Sequence, residues 1–373
     1  MTNNTTNEKQ TKKLKVAIVH DWLIGGGAEK VVEALHTMYP EAPIYTSFAT
    51  TKWKQKLNNK VVTGYLQHWP FSSLRKFIPF LRIWWFESLD LSKYDLVISS
   101  SGAEAKGVKT TGKTIHINYC HAPTHYYWSR YDEYLKNPGF GIFDSIARLG
   151  LKLFVKPLRK WDYKASQRPD VIIANSTYTK TQIKKYYNRE STVVFPPIET
   201  AKFKPKNNQK RSGFVIAGRQ TPYKRFDLAI KACAQQNLPL LVIGSGPSHS
   251  KLLKLAKNNV TFNAEATDKD LIEAFHKSEG FIFPGIDDFG IVAVEAMASG
   301  CPVIAYKNGG ALDYIKPNIT GLFFKEPTAD SLAKTLQIFS SKSFSESQLI
   351  KTAESFNTKN FISKIKREVN KVI

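Results

Sequence analysis

Cysteine is scarce in this chain: three residues in 373, Cys120, Cys233 and Cys301, with no CxxC pair. That spacing excludes a disulfide framework and a zinc knuckle and fits a reducing compartment. Long apolar runs are missing as well. No stretch approaches the roughly 20 uninterrupted apolar residues that span a bilayer. The opening MTNNTTNEKQTKK has no apolar run behind its charges, so no signal peptide is expected. These absences predict a cytoplasmic protein that meets a membrane only peripherally, at the inner face of the plasma membrane.

Acids are the third shortage, 31 Asp+Glu against 54 Lys+Arg, for a formal charge of +23. Up to Phe195 there are 29 Lys+Arg and 15 Asp+Glu, which gives +14 and leaves +9 beyond. Both halves therefore favour phosphate-bearing partners: nucleotides, anionic headgroups or nucleic acid. Nucleic acid is disfavoured, because no recognised binding module is present and the cations are dispersed. The length suits two domains, each able to bury its own core, and 42% hydrophobic with 12% aromatic residues argues against disorder over most of the chain.

What is present is a repeated order of elements. LKVAIVHDW reads as a buried parallel strand, followed by the loop LIGGG and a helical AEKVVEALHTMY. PIYTSFA, YDLVISSS, TIHINYC and DVIIANS continue the strands, and TKTQIKKYY is helical. The pattern restarts with SGFVIAG, LPLLVIGSG, VTFNAE, GFIFPG and PVIAY, separated by helical stretches such as FDLAIKACAQQ and DLIEAFHKS. Between the two series Pro196 and Pro197 suit a stiff hinge. The pattern predicts an α/β chain of two doubly wound Rossmann-like domains whose ligands sit at the carboxyl ends of the strands, in the cleft between them. The expected divisions are a disordered tail at 1–13, an acceptor-side domain at 14–196, a donor domain at 197–355, and a C-terminal helix at 356–373 packing back on the first domain.

Three segments carry chemistry. Gly25, Gly26 and Gly27 join the first strand to its helix, so backbone N–H groups there can approach a phosphate, although a tight connection alone explains such a turn. A nicotinamide site would want GxGxxG and an acid about 20 residues on; here that stretch is PIYTSFATT, with no acid. In GRQTPYKRFDLAI, Arg219 and Lys224 follow a strand, where two cations can converge on a diphosphate. In PGIDDFGIVAVEAMASGCPVIAY, Asp287 and Asp288 lie on the loop before a helix that Gly290 and Ile291 open and on which Glu295 lies. Carboxylates there accept bonds from sugar and ribose hydroxyls; capping by Asp287 or Asp288 accounts for one acid and leaves Glu295 unexplained.

These segments, with HDWLIGGGAEKVV near the start and YCHAP in the middle, resemble the retaining glycosyltransferases of family 4, in family order from about Leu14 to the C-terminus. The resemblance implies the GT-B fold, a nucleotide sugar bound by the second domain, no metal or other cofactor, and assistance from the donor's own phosphate. It assigns Arg219 and Lys224 to the diphosphate, Glu295 to the ribose, Gly290 and Ile291 to the donor, His121 to the transferred sugar, and Gly26 and Gly27 to the phosphates or acceptor. Asp287 stands where the family signature has its first glutamate, a departure that shortens the side chain by one methylene, about 1.5 Å. HDWL with GGAE, YCHAP and the DDFGIV form look most like mannosyltransferases using GDP-mannose, with UDP-sugars open because nothing here reads the base. A sugar-nucleotide epimerase shares the nucleotide site and is separated by its independence of an acceptor.

Two segments suggest where an acceptor is held. WPFSSLRKFIPFLRIWWFESLDLS packs Trp84, Trp85 and Phe86 near Arg75, Lys76 and Arg82. Further on Arg148, Lys152, Lys156, Lys160 and Lys164 recur every four residues beside Leu149, Leu153, Phe154, Leu158 and Trp161, around Pro157. Such basic amphipathic segments lie in anionic interfaces, or pack on the domain and expose only their charges. The reading taken is a membrane-facing surface presenting a glycan or polyprenyl-diphosphate-linked acceptor.

Overall fold

A computed structural model describes residues 14–75, 77–139, 141–205 and 210–373, with the side chain of Ile142 excluded. The tail expected at 1–13 and Lys76 lie outside the described residues. The first domain is a seven-stranded parallel sheet: β1 (Val16–His20), β2 (Ile44–Thr46), β3 (Val61–Val62), β4 (Leu96–Ser101), β5 (Ile115–Cys120), β6 (Val171–Ala174) and β7 (Thr192–Val193), in spatial order β3-β2-β1-β4-β5-β6-β7. The second is six-stranded: β8 (Phe214–Ala217), β9 (Leu240–Ile243), β10 (Val260–Asn263), β11 (Gly280–Phe283), β12 (Val303–Tyr306) and β13 (Gly321–Phe324), in order β10-β9-β8-β11-β12-β13. β1 and β11 are buried along their whole length, as strands covered by helices on both faces must be.

Strand order reverses between β1 and β4 and again between β8 and β11. Crevices therefore open above those carboxyl ends. His20 ends β1, Gly102 follows β4, Gly218 follows β8 and Pro284 follows β11, so the motif-bearing loops rise from the two switch points and face one another.

The chain crosses between the domains twice, side by side. Ile198 donates its N–H to the carbonyl of Phe356 at 2.9 Å and bridges to Asn357. Phe195, Phe289 and Phe356 form a ring cluster there, with centroids 5.1 to 5.7 Å apart. Phe356 belongs to the second core, whereas Phe361, Ile365 and Val369 of the helix Thr358–Asn370 belong to the first, where Phe361 meets Tyr119 edge-on at 5.6 Å. The i, i+4 spacing of these three residues supplies the apolar stripe that seats the helix against Ala28–Met38. β3, β7 and β13 were not separable by pattern: two are two-residue edge strands too short to show a period.

Candidate active site

The glycine loop after β1 is shaped by its own helix. The Glu29 carboxylate accepts the N–H of Gly25 at 2.8 Å and of Ile24 at 3.3 Å. Gly25 adopts φ +124°, a left-handed value that favours glycine. Two loop amides are thus occupied, which narrows the phosphate cradle expected there to Gly26 and Gly27. Gly27 faces the other domain: a Cβ on it would sit 3.0 Å from Cδ1 of Ile291. Three residues on, Lys30 forms an ion pair across the cleft with the buried Glu295.

Above β4 and β5 a buried carboxylate sets the backbone. Asp21 accepts the N–H groups of Gly102, Ala103 and Ala105 at 2.8 to 3.0 Å. Burial pushes its carboxyl up, partly offset by the neighbouring His20. His121 follows β5. Its Nε2 bonds Ser100 Oγ at 2.8 Å, and its ring lies edge-on to Tyr119 and His20. Burial and then His20 hold it down to about 3, so it is a neutral hydrogen-bonding ring at neutral pH rather than a cation.

In the second domain Lys224 pairs with Asp287. Burial lowers the ammonium, but Asp287 and Tyr223 together more than offset it, leaving it above its ordinary value and charged. Arg219, just past β8, is exposed and has no ion-pair partner among the described residues. Gly290 caps the helix Ile291–Ala298 at φ +88°, where a Cβ would meet Phe283 and the Tyr314 hydroxyl at 2.5 and 2.8 Å. No side chain caps that helix, which removes the capping explanation for Asp287 and Asp288. The loop is fixed from behind by Gly310, whose N–H donates to the Asp287 carbonyl at 2.8 Å.

Sequence reasoning missed the residues that join the two halves. His125 Nε2 lies 2.8 Å from Asp288 Oδ2, and Arg130 donates to the Ile286 carbonyl at 2.8 Å while covering the Tyr223 ring at 3.7 Å. Burial raises the Asp288 carboxyl, but His125, Arg130 and Lys224 together hold it below its ordinary value. Their one signal was position: both His125 and Arg130 lie in the same loop as YCHAP. Oδ1 of Asp287 and Oδ1 of Asp288 are buried with no hydrogen-bond partner, two acceptors left open in a cleft of cations. Among the described residues no group of three or more His, Cys, Asp or Glu converges as metal ligands do.

The outer surface departs from expectation at several residues. Trp85 is 5% exposed and packs in a core with Phe86 and Leu66, so neither Trp85 nor Phe86 faces outward; Trp84, on the other side of the helix Pro79–Glu87, is 62% exposed. Arg82 is buried in a bidentate pair with Glu104, both bonds 2.8 Å, and Arg75 is buried as well. A nine-residue helix has an inner and an outer face, and a run of apolar residues does not say which is which. Helix Asp144–Ser166 runs through Pro157. Lys152, Lys156, Lys160 and Lys164 are exposed, but Arg148 turns inward to the Leu135 carbonyl at 2.8 Å and leaves the stripe. Leu158 is buried, whereas Ile146 and Leu153 stand 71% and 63% exposed. Phe80 meets both Trp84 and Phe154, at 6.5 and 5.7 Å, which joins the two helices into one apolar and basic surface. No helix among the described residues is long and apolar enough to cross a membrane.

Comparison with known proteins accords with this geometry. Residues 25–202 match the model described as Glycosyltransferase Family 4, and residues 197–356 match Glycosyl transferases group 1. A GDP-mannose-dependent monoacylated alpha-(1-6)-phosphatidylinositol monomannoside mannosyltransferase of Corynebacterium glutamicum is 30% identical over 204 residues, 46% of this chain and 53% of that one. Alpha-1,3/1,6-mannosyltransferase ALG2 of Mus musculus is 26% identical over 55% of this chain and 59% of its own. The chain spans about half the length of the curated relatives it matches. Among solved structures, Anabaena Alr3699/HepE in complex with UDP-glucose superposes with a TM-score of 0.72 at 16% identity, covering 96% of this chain and 100% of that one. Sucrose-phosphate synthase from Thermosynechococcus elongatus gives 0.69 at 16%, covering 96% and 99%. With two parallel-sheet domains closed on a cleft and a family model matching each half, the chain belongs to the family 4-like glycosyltransferases of GT-B fold.

Proposed function

We propose that this chain transfers a hexose, mannose from GDP-mannose, to a glycan or polyprenyl-diphosphate-linked acceptor in the synthesis of a surface polysaccharide or glycolipid. The observation that carries the reading is the set of groups at the closed cleft, Lys224 paired with Asp287, Glu295 paired with Lys30, and two adjacent carboxylates with unpartnered Oδ1 atoms. In this reading Lys224, with Arg219 on the loop after β8, takes the diphosphate, Glu295 the ribose and the two aspartates the sugar hydroxyls. Lys224 and Arg219 stabilise the charge that develops on the departing nucleoside diphosphate. Asp287 and Asp288 orient the sugar, and the neutral His121 offers it a hydrogen bond from the acceptor side. The mannosyltransferase relatives support mannose. No metal or other cofactor enters this reading.

The acceptor is held at an anionic membrane, on the surface formed by Trp84, Ile146, Leu149 and Leu153 with Lys152, Lys156, Lys160 and Lys164. Exposed apolar side chains beside a cationic stripe are what an interfacial helix requires. A thermal-shift screen of GDP, UDP, GDP-mannose and UDP-sugars tests the donor, because a ligand that binds only the native state raises its stability. The largest shift is expected with GDP-mannose; a UDP-sugar in that place replaces the donor, and no shift with any nucleotide removes the reading.

A further inference from the structure

A second cavity, of about 710 Å³, opens between the domains beside the reaction cleft. That volume is within the range of small-ligand sites. Glu133 and Tyr178 come from the first domain and Tyr223, Ile286 and Tyr306 from the second, with Arg130 between them. None of Arg219, Lys224, Asp287, Glu295 or His121 lines it, so it is not the donor site. It shares that site's wall at one end: Tyr223 precedes Lys224, and Ile286 precedes Asp287. The cavity therefore adjoins the end of the cleft where the transferred sugar is expected, and stands away from Glu295 and the ribose end.

Its chemistry is that of a carbohydrate site. Glu133 is half-buried, and its carboxylate has no hydrogen-bond or ion-pair partner among the described residues, so the carboxylate oxygens can accept hydroxyl protons. Burial lifts its carboxyl above the ordinary value. Tyr178, Tyr223 and Tyr306 are half-buried too, and each offers a flat apolar face with a polar edge. The Arg130 guanidinium on the Tyr223 ring and its bond to the Ile286 carbonyl hold the shared wall. These contacts cross between the domains, so the cavity is complete only when the cleft is closed.

We propose that this cavity is a glycan subsite, which binds the acceptor oligosaccharide beyond the sugar that receives the new linkage. The inference rests on the transferase reading above. The order of events follows from the geometry, with cleft closure first and full acceptor binding second.

The test uses the whole chain saturated with GDP, with α-linked mannotriose as probe, followed by saturation-transfer NMR and calorimetry. Glu133→Gln and Tyr178→Ala are each expected to weaken mannotriose by about tenfold, the equivalent of one stacking or charge-assisted contact. GDP affinity and the slow hydrolysis of the donor by water should stay at parental values. Mannotriose binding equally to parent and both variants overturns the proposal, as does failure of the parent to bind mannotriose, maltotriose or chitotriose. Competition by inorganic phosphate, lost in the variants, would reassign the cavity to an anion. If the parent binds oligosaccharide but no nucleotide, the transferase reading fails and the acceptor assignment with it, a result distinct from loss of oligosaccharide binding alone.

Discussion

His125 of the first domain and Asp288 of the second meet at 2.8 Å across the cleft, so a histidine after YCHAP holds the loop that carries Asp287 and Asp288. Each is largely enclosed, and removing one partner strands the other, at a cost of about 1–3 kcal/mol. His125→Ala and Asp288→Asn should therefore favour an open molecule. Small-angle scattering of the donor-free protein should show a larger radius of gyration for both variants than for the parent. Equal radii would mean that the remaining contacts, among them Lys30–Glu295, Arg130–Ile286 and Thr177–Asp313, close the cleft unaided.

Lys224→Ala and Glu295→Ala should each weaken nucleotide-sugar binding about tenfold or more, through loss of a charge-assisted contact. Both side chains lie at the cleft rather than in an apolar core, so the thermal midpoint should move only by a few degrees. Calorimetric titration with GDP-mannose reads the effect. Parental affinity and turnover in both variants would overturn the donor-site assignment.

Asp287→Asn separates two roles. A contact that strengthens in the transition state acts on kcat, so turnover should fall more than GDP affinity. Steady-state kinetics together with GDP titration distinguishes this from a nucleotide contact, which would show the opposite pattern. The variant also deprives Lys224 of its anion, so Asp287→Glu, which restores the charge, should recover part of the rate.

Acid should destabilise the fold through histidines kept neutral inside it. Burial and then Arg168 hold His116 down to about 3, and burial and then His20 do the same for His121. In the unfolded chain a histidine protonates near 6.5. Between those values the unfolded state binds more protons, so stability is fully present above about 6.5 and falls as pH drops toward 3, by roughly 1.4 kcal/mol per pH unit for each histidine. Urea midpoints measured from pH 7.5 to 4.5 should show this slope, and His116→Gln should flatten it. An unchanged slope in the variant would place the acid sensitivity elsewhere.

Vesicle binding should need anionic lipid and weaken with salt, with an apolar remainder. A Lys152, Lys156, Lys160 and Lys164 to Glu variant should lose the salt-sensitive part, and Trp84→Ser with Leu153→Ser the remainder. Trp85 serves as the contrast: it is buried, so Trp85→Ser should lower stability instead. Cosedimentation with no binding by the parent, or equal binding by all, would leave a freely diffusing acceptor as the better account.

Local and ordered features were legible in the sequence: ten of the thirteen strands among the described residues, the proline pair between the two series, and the chemical identity of Arg219, Lys224 and Asp287 on loops that follow strands and of Glu295 on the helix after them. Such features are legible because strand runs, glycine turns and carboxyl-edge motifs are written within a few adjacent residues. Tertiary structure alone decided who meets whom. Lys30 reaches Glu295 across 265 positions and His125 reaches Asp288 across 163, and no local pattern encodes a partner at that distance. It also decided facing: Trp84 and Trp85 are neighbours, yet one is exposed and the other is core, because about 100° of helical turn separates them and only the packed domain defines which direction is inward.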